Sequence, residues 1–328
     1  MIQNAAPAIA AVPAQDALRD GLSASDALVG TIAPILRHLL AHDDHSVFSD
    51  EVIARVRGMM VHVASQLLDE LAAASDQPEQ RNHSPEAVQT LVDGFVAHAG
   101  FLNHTHALAL EWQLTERLQN RLTLDPVLSP LLQTLIASPE PETAGVAMSL
   151  LAAQARFAQS QVRMQLPLAE LPGDLLHAAL LVMRHCAHKD SAHEDEAPQS
   201  HAAAAEAAIR SRFEEGRSRL GLISRVVVGM GAAAVAALSV SQAGIGIFLS
   251  ALALASGQDR EMAVLATNEG QLVRLGLALC AAGLTPAAVE EQFSLIHPDA
   301  SLPQGLDRLG ANQAAALLAR SSAFPGAD

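Results

Sequence analysis

Between residues 52 and 71 apolar side chains return at steps of three and four: Val52, Val56, Met59, Met60, Val63, Leu67 and Leu71. The spacing places them on one face of a helix, with Arg55, His62, Gln66 and Asp69 lying off that stripe. It predicts a core-facing amphipathic helix in which the methionines fill gaps rather than line a cofactor. Similar periods follow Ser49-Asp50-Glu51, Ser84-Pro85-Glu86, Asp125-Pro126, Pro172-Gly173-Asp174 and Thr285-Pro286. Each of these openings pairs a residue suited to the first free N–H groups of a helix with proline or an acid in its first turn.

Towards the C-terminus the helical runs become short and close together: "IFLSALALAS", "REMAVLATNE", "QLVRLGLALCAA" and "PAAVEEQFSLI". Gly257, Gly270 and Gly283 stand between them, where a left-handed residue would end a helix. The pattern predicts an all-α protein of stacked antiparallel helices, a HEAT-like array in two subdomains. Residues 189–201, acidic and rich in histidine, carry no apolar period and are expected to be a linker. They would separate an N-terminal helical domain, 23–188, from a C-terminal one, 202–320, with tails at 1–22 and 321–328.

The segment 247–299, with its helix end "ALALASGQDRE" and its turn "LALCAAGLTPAAVE", resembles the C-terminal part of an alphaproteobacterial family of all-helical, HEAT-like proteins. The resemblance covers roughly a sixth of the 328 residues, and Ala, Leu and Gly do most of the matching. It implies a soluble helical fold and brings no activity or site residue with it.

Composition supports helices: half of the residues are apolar, only 3% are aromatic, and there is no tyrosine. A net charge of −15 repels phosphate backbones, and no basic stripe offsets it, so nucleic acid is not an expected partner. Two cysteines, Cys186 and Cys280, make no disulfide framework and fit a reducing cytoplasm. The start, "MIQNAAPAIAAVPAQ", has two prolines and no early Lys or Arg, and reads as a loose tail rather than a secretion signal.

The tract "RVVVGMGAAAVAALSV", 225–240, admits three readings. Gly229, Gly231 and Ala234 after Val226–Val228 repeat the dinucleotide spacing in miniature, yet no acid follows before Asp259 to hold a ribose. Residues 226–258 carry no charge and follow five arginines between 210 and 225, as an inner-membrane anchor would. Ser239, Ser241, Gln242, Gly244 and Gly246 interrupt that run, so the favoured expectation is a buried helix whose small residues let other helices cross closely.

Fourteen histidines supply the candidate chemistry. In "RHLLAHDDH" His38 and His42 share a helical face, with Asp43, Asp44 and His45 beyond, a nitrogen and oxygen donor set that suits zinc or iron. Leu39 stands where a metalloprotease needs glutamate, and a solvated helix end is the ordinary explanation of the cluster. His185, Cys186, His188, His193 and Glu194 lack a second ligand pair, and His177, Arg184 and His188 read as a wet stripe. His104 and His106 lie near the sole tryptophan, Trp112, on different faces, while Glu111 or Glu116 could pair with a base. No order of nucleophile, base and acid stands out. The expected function is therefore a non-catalytic helical scaffold or regulator that binds another protein. The alternatives are membrane attachment through 226–258 and a metalloprotein using His38, His42 and His45.

Overall fold

The computed structural model describes residues 11–41, 50–75, 83–190 and 197–321, and among them there are α-helices and short 3-10 helices but no strand. In chain order the first helices are α1 (Ala11–Ala41), α2 (Asp50–Ala74), α3 (Pro85–Ala97), α4 (Ala99–Leu122) and α5 (Pro130–Ile136). They are followed by α6 (Pro141–Val162), α7 (Gly173–Asp190), α8 (Ala197–Arg212), α9 (Arg219–Gly229) and α10 (Val240–Ala243). The last are α11 (Ile245–Ser256), α12 (Arg260–Leu265), α13 (Leu272–Ala281), α14 (Pro286–Ile296) and α15 (Ala311–Arg320). The protein is all-α, as the periodicity predicts.

Capping chemistry sets several of these starts. Ser84 and Thr285 each precede a proline and accept a hydrogen bond from the backbone N–H three residues on, at 3.1 and 3.3 Å. Asp125 acts differently from expectation. Its carboxylate accepts from the N–H groups of Val127 and Leu128, closing a turn, and α5 begins only after Ser129. Gly257 and Gly283 are left-handed, with φ of 68° and 81°, but Gly270 lies within the 3-10 turn Glu269–Gln271 and has no such φ.

Two units form. An inner unit comprises Ala33–Trp112 and Glu140–Arg225; a terminal unit comprises the chain up to Ile32, Gln113–Pro139 and the chain from Val226. The division expected at 189–201 is not where they part, because α7 and α8, on either side of that segment, pack together inside the inner unit. Asp190 still belongs to α7 and Ala197 already to α8, so a polar stretch between two packed helices had the composition of a linker. The expected tail 1–22 is also shorter: α1 starts at Ala11, and Leu18, Leu22, Ser25 and Val29 form a buried stripe along it.

In the inner unit α2, α3, α7 and α8 close a ring, each packing on two of the others. Val56, Met59, Met60, Val63 and Leu67 are completely buried there, as the period predicts. Gly94 on α3 meets α7 so closely that a Cβ would fall 2.4 Å from Val182 Cγ1. In the terminal unit α13 is central, packing on α11, α14 and α15, and Leu275, Leu277, Ala278 and Leu279 are buried.

The tract 225–240 corrects the favoured expectation. α9 ends at Gly229, and Gly231, at φ 52°, starts a 3-10 helix, Gly231–Leu238, bent by 120° from α9. Val228 and Val235 are 63% and 66% exposed, and a Cβ at Gly229 or Gly231 would meet nothing within 4 Å. The glycines stop a helix rather than admit a crossing one, and alanine offers too little apolar area to draw the elbow inward. The dinucleotide reading falls with the missing strand. The buried helix is α11, in the second half of the run. Among the described residues no single helix is long and apolar enough to cross a membrane.

Candidate functional site

The sequence-predicted metal ligands divide. His38 sits exposed in the last turn of α1; His42 and His45, with Asp43 and Asp44, lie outside the described residues. His193 and Glu194 also lie outside them, and so does the side chain of His188. His185 is exposed on α7, and Cys186 lines a separate cavity of about 390 Å3 with Leu68, Leu91 and His201. No group of three potential metal ligands occurs among the described residues. His104 and His106 are buried within α4, and burial pushes the His106 imidazole down to about 4. Burial likewise pushes the Cys280 thiol up to about 11, which keeps it protonated at neutral pH.

A cavity lined by both charged and apolar side chains lies wholly in the inner unit, and it begins with α6. Arg156 and Arg163 are seven residues apart, so they share one helical face with Gln159 and Ser160 between them. Past its last turn the helix closes in a Schellman motif: Gln165 N–H donates to Ser160 O at 2.8 Å and Met164 N–H to Gln161 O at 3.0 Å. The left-handed position usually given to glycine is taken by Met164, at φ 55°. A β-carbon there costs about 1 kcal/mol, which the surroundings must over-determine.

Helix α2 supplies that restraint. Gly58 lets Met164 settle against it, since a Cβ would lie 2.8 Å from Met164 Cβ and 2.9 Å from its carbonyl oxygen. Both ends of the Gln66 amide are used: Nε2 donates to Leu166 O and Oε1 accepts from Leu168 N–H, each at 3.0 Å. His62 Nδ1 donates to Leu166 O at 2.9 Å, and Arg55 donates to Gln161 O. The segment 164–168 is thus a fixed wall.

Above this wall opens a cavity of about 450 Å3, within the range of small-ligand and peptide-side-chain sites. Phe157, Leu166, Pro167 and Ala169 give it apolar surface, and Arg156, Arg163, Arg212 and Arg217 face Glu170 and Glu214 across it. The excess of cations is unusual in a chain of net charge −15. Arg212 pairs with Glu70 at 2.6 Å and Arg217 with Glu214 at 3.6 Å, whereas Arg163 makes no ion pair among the described residues. Burial raises the Glu170 carboxyl above its ordinary range, against the opposing pull of an Arg219 N–H bond of 2.7 Å and of the Arg219 and Arg156 charges. A cavity of about 270 Å3, bordered by Asp69 and Glu70, shares Pro167, Ala169 and Arg212 with the first.

Behind the cleft wall is a buried ion pair. Arg219 Nη1 and Nη2 donate to the two carboxylate oxygens of Glu111 at 2.8 and 2.9 Å, and Nη1 also to Gln154 Oε1 at 3.2 Å. Its guanidinium lies 3.6 Å over the Phe157 ring, against which Trp112 packs edge-on at 6.2 Å. Glu111 therefore serves an arginine 108 residues away rather than an acid–base couple. The arrangement fixes Phe157 at the cavity wall.

Sequence reasoning singled out none of Arg156, Arg163, Arg212 or Glu170 as site residues. The signal was the seven-residue repeat of arginine on one face of "QARFAQSQVR", visible only once α6 is known to expose that face. No family model, curated protein or solved structure matches this chain.

Proposed function

We propose that this protein is a binding module rather than an enzyme, and that it holds a segment of another protein in the arginine-lined cleft of its inner unit. The observation that carries the reading is the restrained wall at 164–168 beneath Arg156 and Arg163, which presents fixed apolar surface and unspent donors side by side. A cytoplasmic setting fits the two free thiols, and a HEAT-like use of helical faces fits the short stacked helices.

The test places a photo-crosslinking residue at Ala169, exposed in the cleft, and at Leu254, exposed elsewhere, in cells that make the protein. A discrete protein adduct from position 169, abolished by the pair R156E/R163E and not formed from position 254, is the expected result. Equal labelling from both positions, or copurification of a stoichiometric small molecule or metal with no protein adduct, would overturn the reading.

A second reading, peripheral attachment to a lipid surface, draws on the exposed Val228 and Val235 at the elbow. Flotation with zwitterionic vesicles, lost in V228E/V235E, would favour it; protein remaining wholly in the aqueous fraction would remove it.

A further inference from the structure

We infer that the cleft recognises an extended partner segment carrying two acidic side chains three residues apart, anchored by Arg156 and Arg163. This rests on the reading that the cleft binds a protein, and adds what that protein must present. Seven residues of α-helix advance about 10 Å along the axis, so the two guanidinium stems are set two turns apart. A polyproline-type segment rises about 3.1 Å per residue with three residues per turn, so its positions i and i+3 face the same side at about 9 Å. An α-helical ligand would need its acids about seven residues apart to span the same anchors, so binding of a short core with acids three residues apart separates the two geometries. Between the arginines Gln159 and Ser160 offer neutral hydrogen-bonding groups to the ligand backbone, and Leu166, Pro167 and Ala169 offer apolar surface to the spacer. Glu170 and Glu214, on the same cavity, set an upper limit on ligand charge by repelling a denser run of acids. The chain as a whole, at net −15, repels acidic partners, so two anchored carboxylates select this cleft over the rest of the surface.

The probe is a capped peptide with the core Glu-Pro-Pro-Glu, compared with Gln-Pro-Pro-Gln, with a hexaglutamate and with inorganic phosphate, all on the full chain. Trp112, the only tryptophan, touches Phe157 of the cavity lining and reports binding by its emission; titration calorimetry runs alongside in case the emission is silent. Saturable binding of the Glu-Pro-Pro-Glu peptide is expected, with about tenfold weakening in R163E from loss of one charge-assisted contact, and no binding of the glutamine form. Circular dichroism of R163E should match the parent, since the side chain is exposed.

Equal binding of the glutamine peptide, an unchanged Kd in R163E, or a hexaglutamate that outcompetes the spaced peptide would each overturn the inference. Phosphate binding without peptide binding would overturn it too, leaving a small-anion site. If the crosslink at position 169 forms while the peptide fails, only the acidic recognition is lost. If the peptide binds and no adduct forms, it is the protein-binding reading that fails.

Discussion

Arg219 and Arg274 are the most deeply buried described arginines of the inner and terminal units, and the two are neutralised in different ways. In the inner unit the Arg219 and Glu111 side chains are 3% and 1% exposed, and the pair is sealed. In the terminal unit Arg274 is equally buried, but its partner Asp26 is 20% exposed. Arg274 also donates to Ser321 Oγ at 2.8 Å and to Gln271 Oε1 at 3.2 Å, while Ser321 donates to Asp26 at 2.6 Å. A sealed pair depends entirely on its two members, because no water can stand in for a missing one. A pair that touches solvent is forgiving. The first arrangement therefore fixes geometry, here the position of Phe157 at the cleft wall, and the second fastens α1 to α13 and to Ser321.

The sharpest way to break this comparison is Glu111→Ala, which strands a buried guanidinium and should cost about 3–5 kcal/mol in denaturant unfolding. The double variant E111L/R219M should recover most of that loss, and failure to recover would show that the pair contributes more than charge compensation. Next in size is pH. His106, in the inner unit, titrates near 4 when folded and near its ordinary 6.5 when unfolded, so between those values only the unfolded chain takes the proton. Stability is full above pH 6.5 and should fall by about 3 kcal/mol as pH drops to 4, a loss that His106→Leu abolishes in acid titrations. His297 of the terminal unit is also held down, by burial first and then by the Arg117 charge, so acid weakens both units. The smallest effect belongs to the open pair: Asp26→Asn keeps a partner for Ser321 and Arg274 and should cost about 1–2 kcal/mol in thermal unfolding. A loss as large as that of Glu111→Ala would erase the distinction.

Much of the fold was legible because it depends on local rules. The stripe from Val52 to Leu67 and the caps at Ser84 and Thr285 need only spacing and neighbours, and both stand where the pattern places them. The elbow at Gly231 was misread because glycine serves equally for close packing and for a positive φ, and only tertiary surroundings choose. The cleft was illegible for a different reason. Arg156 and Arg163 become a site through Gly58, His62 and Gln66, about a hundred residues earlier, and no local signal links them. The histidines, conspicuous by number, turned out partly buried as core at positions 104 and 106.

The order in which the pieces of each unit occur along the chain has a consequence for biosynthesis. The inner unit is complete once Arg225 has left the ribosome, whereas Asp26 in α1 must wait for Arg274 and Ser321 before its bonds can close. We expect protease-resistant structure from residues 33–225 on stalled nascent chains ending near residue 270, at a stage when the part of α1 before Ala33 is still cleavable. α1 is thus made before the helices that secure it, and during that interval its apolar stripe is exposed to whatever chaperone meets the emerging polypeptide.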